Sequence, residues 1–188
     1  VVFTSMSNSY QSNIPKLYLI KLSKWFMLIM PIVALFYNDN GLDNTSIYVL
    51  QAVYSFSLAV IEIPSGYMAD IVGRKKSLIL GSILGTVGFI IYSLSSSFSS
   101  FLVAEIILGL GGSFISGSDS AILYDGLAAD QQEQTYLRYE GRITSAGSFA
   151  ETIAAIGGGL LAAYLGYRSV YVAQTLIASI AIPAAILL

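Results

Sequence analysis

The sequence predicts an all-α membrane protein of six transmembrane helices, and three observations carry that reading. Of its 188 residues, 55% are apolar and 11% charged, with a mean hydropathy of +0.73, whereas soluble domains carry about a quarter charged residues. The apolar residues gather into six runs, each close to the roughly 20 residues that cross a hydrocarbon core of about 30 Å. The nine Lys and Arg fall on one side of those runs with a single exception, the charge asymmetry of a membrane-spanning chain. A transmembrane barrel would need alternating segments of about ten residues, and none is present. The absence of cysteine excludes a disulfide scaffold.

Residues 1–15 read as a polar tail of Ser, Asn and Gln without the charged and apolar regions of a signal peptide. Residues 16–188 read as one transmembrane domain. Span one is expected at about 17–37, with Lys16, Lys21 and Lys24 at its start and Pro31 inside it. Span two, at about 46–68, is followed by Arg74, Lys75 and Lys76. Spans three and four, at about 77–94 and 101–124, are joined by a short Ser-rich loop. Span five, at about 143–165, follows Arg138 and Arg142, and span six, at about 169–188, follows Arg168. Eight basic residues against one place the N-terminus and the 69–76 and 125–142 loops in the cytoplasm. Trp25 and many of the 13 tyrosines, among them Tyr37, Tyr48, Tyr92 and Tyr164, fall near span ends and read as an interfacial aromatic belt. The chain opens on Val and span six stops within an apolar run, so a longer protein is expected.

Between spans two and three runs Gly66-Tyr67-Met68-Ala69-Asp70-Ile71-Val72-Gly73-Arg74-Lys75-Lys76. Gly66 lets a neighbouring helix approach closely, Asp70 can accept from the free N–H groups of a helix start, and Gly73 permits a turn that other residues resist. Arg74 offers a planar fork to a carboxylate. This stretch resembles the loop signature of the major facilitator superfamily, with Gly66, Asp70, Gly73, Arg74, Lys75 and Lys76 in register and Ile71 in place of a frequent basic residue. Ser116 to Asp125, Glu140-Gly141-Arg142 and Gly157-Gly158-Gly159 are similar to the family's fourth and fifth helices. The resemblance implies a latch in which Asp70 faces a helix of the other half and Arg74 pairs with an acid ending helix four, here Asp125. The order of the chain agrees, since spans two and four end on the same face and Asp125 is the first acid past span four.

Four acids fall within the spans: Glu62, Glu105, Asp119 and Glu151, with no Lys or Arg expected beside them. At about 1.5 Å per residue, Glu62, Asp119 and Glu151 lie roughly 12, 9 and 13 Å from the cytoplasmic ends. Glu105 lies near the outer end, within reach of water. A carboxylate in hydrocarbon must face a cavity, be protonated, hold a cation or bond a neighbouring helix. The resemblance makes Asp119 the preferred proton or substrate residue, on a cavity-lining helix, and puts Glu62 and Glu151 at the interface between halves. Structural hydrogen bonds between helices are the alternative for all three. The glycines Gly81, Gly85 and Gly88, Gly109 and Gly112, and Gly157 to Gly159 read as packing stripes.

Without His or Cys, no Ser-His-Asp triad, thiol nucleophile or ordinary zinc site can be built. No catalytic residue, metal or cofactor is expected, and a net charge of −2 offers no nucleic-acid patch. The resemblance implies the N-terminal six-helix half of a transporter, folded as two inverted three-helix repeats, with Gly73-Arg74 echoed by Gly166-Tyr167-Arg168. It further implies secondary active transport by alternating access, here read as proton-coupled efflux of lipophilic or cationic compounds. The expected partners are a small-molecule substrate, protons, the lipid bilayer and a second six-helix half, in the same polypeptide or in a second copy. The expected location is multi-pass in a bacterial inner membrane. Uptake of a small neutral solute and a half-sized, non-transporting membrane interaction protein stay open beside it.

Overall fold

The computed structural model describes residues 14–129 and 131–188; the polar-tail reading falls almost wholly outside the described residues. The helices are α1 (Ile14–Trp25), α2 (Val33–Asp39), α3 (Asn44–Val72), α4 (Arg74–Leu94), α5 (Phe98–Ala129), α6 (Tyr136–Leu165) and α7 (Tyr167–Ile186). Short 3-10 turns stand at Met30–Ile32 and Glu133–Thr135, and no strand occurs among the described residues. With α1 and α2 counted together, six segments are long and apolar enough to cross a membrane, and the chain is an integral multi-pass membrane protein.

Span one is broken where the sequence reads it as continuous. Helix α1 ends at Trp25, and regular structure resumes only at Met30. Pro31 has no N–H to give, and its ring collides with the carbonyl four residues back, which is that of Met27. The break leaves backbone groups to be satisfied inside the bundle. Gln174 of α7 meets the need, its Oε1 accepting from Leu28 N–H at 2.8 Å. On its other side the broken backbone lies against Gly158 of α6, where an added Cβ would fall 1.9 Å from Leu28 O. Pro64 and Pro183, by contrast, sit inside α3 and α7 without ending them.

Three helices run well past the expected spans. Helices α3, α5 and α6 hold 29, 32 and 30 residues, or roughly 45 Å each at 1.5 Å per residue. The expected 125–142 loop therefore shrinks to a few residues around one 3-10 turn, because nothing in Asp125–Ala129 or Tyr136–Arg142 stops a helix.

The helix pairing has the symmetry of two inverted repeats. Helix α4 packs on α5 and α7, α3 on α5, and α1 on α7 and α6. Exchanging the triplet α1/α2, α3, α4 with the triplet α5, α6, α7 turns α3·α5 into α6·α1 and α4·α5 into α7·α1, and leaves α4·α7 unchanged. The second and third helices of each triplet meet at a single glycine, Gly73 (φ 105°) and Gly166 (φ 83°). Each glycine closes one helix and opens the next, in a conformation that side chains resist. An added Cβ on Gly81 would lie 2.8 Å from Gly111 O, so α4 and α5 touch backbone to backbone there, whereas Gly85 and Gly159 of the expected stripes face open space.

Two apolar clusters fill the interior. One gathers Phe36, Tyr37, Tyr92, Phe101 and Tyr171 toward the Arg168 end. The other gathers Leu17, Leu78, Leu123 and Ile143 toward the Arg74 end. Helices α3 and α6 are the least covered, with Ile63 84% and Tyr164 83% exposed.

Candidate functional site

The loop motif forms where α3 stops at Gly73 and α4 begins. Arg74, the first residue of α4, reaches across to the far end of α5. Its guanidinium pairs with the Asp125 carboxylate, and Nη1 also donates to Ala121 O at 3.1 Å. Nη2 lies 3.5 Å from Asp70 Oδ1, one turn back on α3. Arg74 thus ties the end of α3 to the end of α5. Lys75 and Lys76 are exposed. Gly66 works differently from the expectation: a Cβ on it would meet nothing within 4 Å, and the close approach is made by Gly117, whose added Cβ would lie 3.5 Å from Gly66 Cα.

Asp119 does not stand alone. Lys21, expected at the membrane surface, is 5% exposed and lies between helices. Its ammonium is 2.6 Å from Glu140 Oε1 and 3.8 Å from Asp119 Oδ2, and it donates to Ser120 Oγ at 3.3 Å. The cluster joins α1, α5 and α6, and Asp119 also accepts from the N–H of Ser120 at 2.6 Å. The expectation of acids without basic neighbours therefore fails for Asp119, because α1 turns Lys21 inward at the level where α5 presents its carboxylate. A charge buried this deeply is tolerated only when paired. Ser118 Oγ and Glu140 Oε2 are buried without hydrogen-bond partners among the described residues. Glu62 is exposed on α3 and Glu151 half-buried on α6, and the structure brings neither to Asp119.

Glu105 departs furthest from the sequence reading. It is 5% exposed rather than open to water. Tyr37 at the end of α2 and Tyr92 at the end of α4 each bond its Oε1 at 2.8 Å, and the two phenols also bond each other. The two tyrosines are therefore core residues and not part of an interfacial belt. A cavity of about 220 Å³ opens beside them, with Lys24, Gln51, Tyr54, Glu105 and Gln174 among its polar lining. No group of acids among the described residues is arranged to hold a metal ion. Nothing local in the sequence marks Glu105, since its partners come from two other helices.

Compared with known families, residues 22–188 match the Major Facilitator Superfamily. The chain is 26% identical over 140 residues to an uncharacterized MFS-type transporter of Methanocaldococcus jannaschii, a stretch covering 74% of this chain and 35% of that protein. It is 22% identical over 120 residues to the quinolone resistance protein NorA of Staphylococcus aureus, covering 64% of this chain and 31% of that protein. The chain thus spans about a third of the length of these relatives. Because the family match begins within α1 and takes in every later helix, the chain belongs to the major facilitator superfamily, whose members are transporters and not enzymes.

Proposed function

We propose that this chain is one half of a secondary active transporter that works by alternating access and exports lipophilic or cationic compounds in exchange for protons. The observation that carries the reading is the Arg74 bridge, which ties the α3–α4 joint to the end of α5. A bond between helix ends at one face biases a two-state protein only if it breaks in the other state. Asp70, 67% exposed in its side chain, is free to meet a helix of a second half. The exposed faces of α3 and α6 suit that half as their cover. The likeness to the quinolone resistance protein supports efflux and an organic substrate. The basic residues at the Arg74 end support a cytoplasmic position for that face. Asp119 serves as a proton carrier in this scheme only when the Lys21 pair opens, with Glu62 and Glu151 at the interface between halves.

The test is Arg74→Ala with cysteine labelling of the cytoplasmic gate. The Arg74 and Asp125 side chains are 31% and 56% exposed, so the pair contributes about 0.2–1 kcal/mol, a population shift of up to about fivefold toward the open gate. Faster labelling from inside is expected. Unchanged labelling removes the latch from the mechanism, and the absence of solute-driven proton flux in sealed vesicles removes coupled transport.

A further inference from the structure

We propose that Lys24 and Gln174 form an anion-recognising corner of the cavity, which takes a lipophilic compound by its carboxylate. The two side chains come from different helices and line the cavity at the break in span one. Lys24 stands in the last turn of α1, and Gln174 of α7 reaches Met27 and Leu28 just beyond it. Gln174 is 1% exposed. Its Oε1 is used by Leu28 N–H, but its Nε2 has only the Met27 thioether, 3.8 Å away, among the described residues. A thioether is a weak acceptor. A buried amide donor on the cavity wall therefore lacks a proper partner, a condition that is costly to leave unmet.

Lys24 is exposed and is the basic residue of the cavity wall among the described residues. The acids that could neutralise it are engaged elsewhere. Asp119, whose field reaches Lys24, and Glu140 are held by the Lys21 ammonium at 3.8 and 2.6 Å. Glu105, the acid of the cavity wall, is bonded by Tyr37 and Tyr92. It stands 14 residues from Asp119 along α5, roughly 21 Å at the helical rise. Lys24 itself forms no ion pair and no hydrogen bond among the described residues. The dipole of α1 accommodates a cation in its last turn but gives Nζ no acceptor. Nor do the nearby hydroxyls compete for a ligand, since Ser23 and Ser82 donate to Ile20 O and Leu78 O of their own helices. Two donors, one of them charged, thus stand on one wall without an acceptor from the protein. A carboxylate brings two acceptor oxygens, and its bond to an ammonium is of the strong, charge-assisted kind. Met27, Met30, Phe89, Leu108 and Ile115 make the wall around the corner apolar, which suits a ring system carrying that carboxylate.

The corner fixes the substrate's head group, and only its use in export rests on the transporter reading. The experiment titrates the purified full-length protein in detergent with 1-naphthoate, 1-naphthamide and 1-naphthylmethylammonium, which share one ring system and differ in head group. The wild type is expected to bind the acid about tenfold or more tighter than the amide and to bind the ammonium least. This comparison needs no variant to fold. Lys24→Met is expected to bind the acid no better than the amide while still binding the amide, and Lys24→Arg to keep the preference. Lys24→Gln, which retains a donor and drops the charge, is a second route to the same loss. The proposal is overturned by a wild type that binds none of the three, that binds acid and amide equally, or that prefers the ammonium. A preference for the acid that survives in Lys24→Met overturns it as well. Acid binding that depends on Lys24 in a protein that moves no naphthoate across sealed vesicles would instead sink the transporter reading and leave this corner standing. Naphthoate export indifferent to Lys24 would do the reverse.

Discussion

Gly158→Ala tests whether the break in span one is held by its neighbours. An added Cβ would lie 1.9 Å from Leu28 O, 2.8 Å from Leu28 C and 3.1 Å from Leu28 Cα, all backbone atoms with no rotamer to yield. Ordinary contact begins at 3.4 Å, so α6 and the broken segment must part by about 1.5 Å. The segment is fastened on its other side by the 2.8 Å bond from Leu28 N–H to Gln174, and movement strains that bond. Overpacking a tight interior costs about 1–3 kcal/mol, and an unmade buried hydrogen bond costs about as much again, for a total of roughly 2–6 kcal/mol. Gly159→Ala is the control, because the next residue of the same helix faces open space and the substitution changes helix propensity equally. Unfolding by SDS titration in mixed micelles, followed by far-UV circular dichroism, measures the difference. Equal stability of the two variants would refute the argument that Gly158 is required by close backbone approach.

Lys21→Met is expected to cost about 3–5 kcal/mol in the same titration, since it strands Asp119 and Glu140 without their cation. The double variant Lys21→Met, Asp119→Leu should recover part of that loss, and a single variant as stable as the wild type would remove the cluster from the account. Asp43, outside the spans, caps α3 and accepts from Ser46, through its hydroxyl and through its N–H at 3.0 Å. These bonds hold its carboxyl below the usual carboxylate range. A group whose folded pKa is depressed stabilises the fold above its unfolded pKa and loses that contribution as pH falls through the folded value. Amide protection in the first turn of α3 should therefore drop on acidification below the usual carboxylate range. Asp43→Ala should erase that dependence while leaving protection low throughout.

The membrane class, the number of spans and the loop motif are legible in the sequence because each depends on neighbours along the chain. A run of about 20 apolar residues crosses a bilayer whatever surrounds it. Gly73 and Arg74 act within a few residues of Asp70, and even Asp125 follows from two helices ending at one face. The broken helix is only half legible: Pro31 forbids a regular span, but the break is supported by Gln174 and Gly158, more than a hundred residues further on. Asp119 is legible as a buried acid and not as a paired one, since Lys21 lies 98 residues away and reaches it through the packing of α1 against α5, α6 and α7. Glu105 misleads for the same reason. Its depth along α5 suggests water, whereas Tyr37 and Tyr92, 68 and 13 residues away, close over it. By itself, then, the sequence determined which segments enter the membrane and where the chain turns, because hydropathy and turn chemistry are local. Only the tertiary structure decided which of the membrane's charges are paired, capped or alone, because that depends on which helix faces meet.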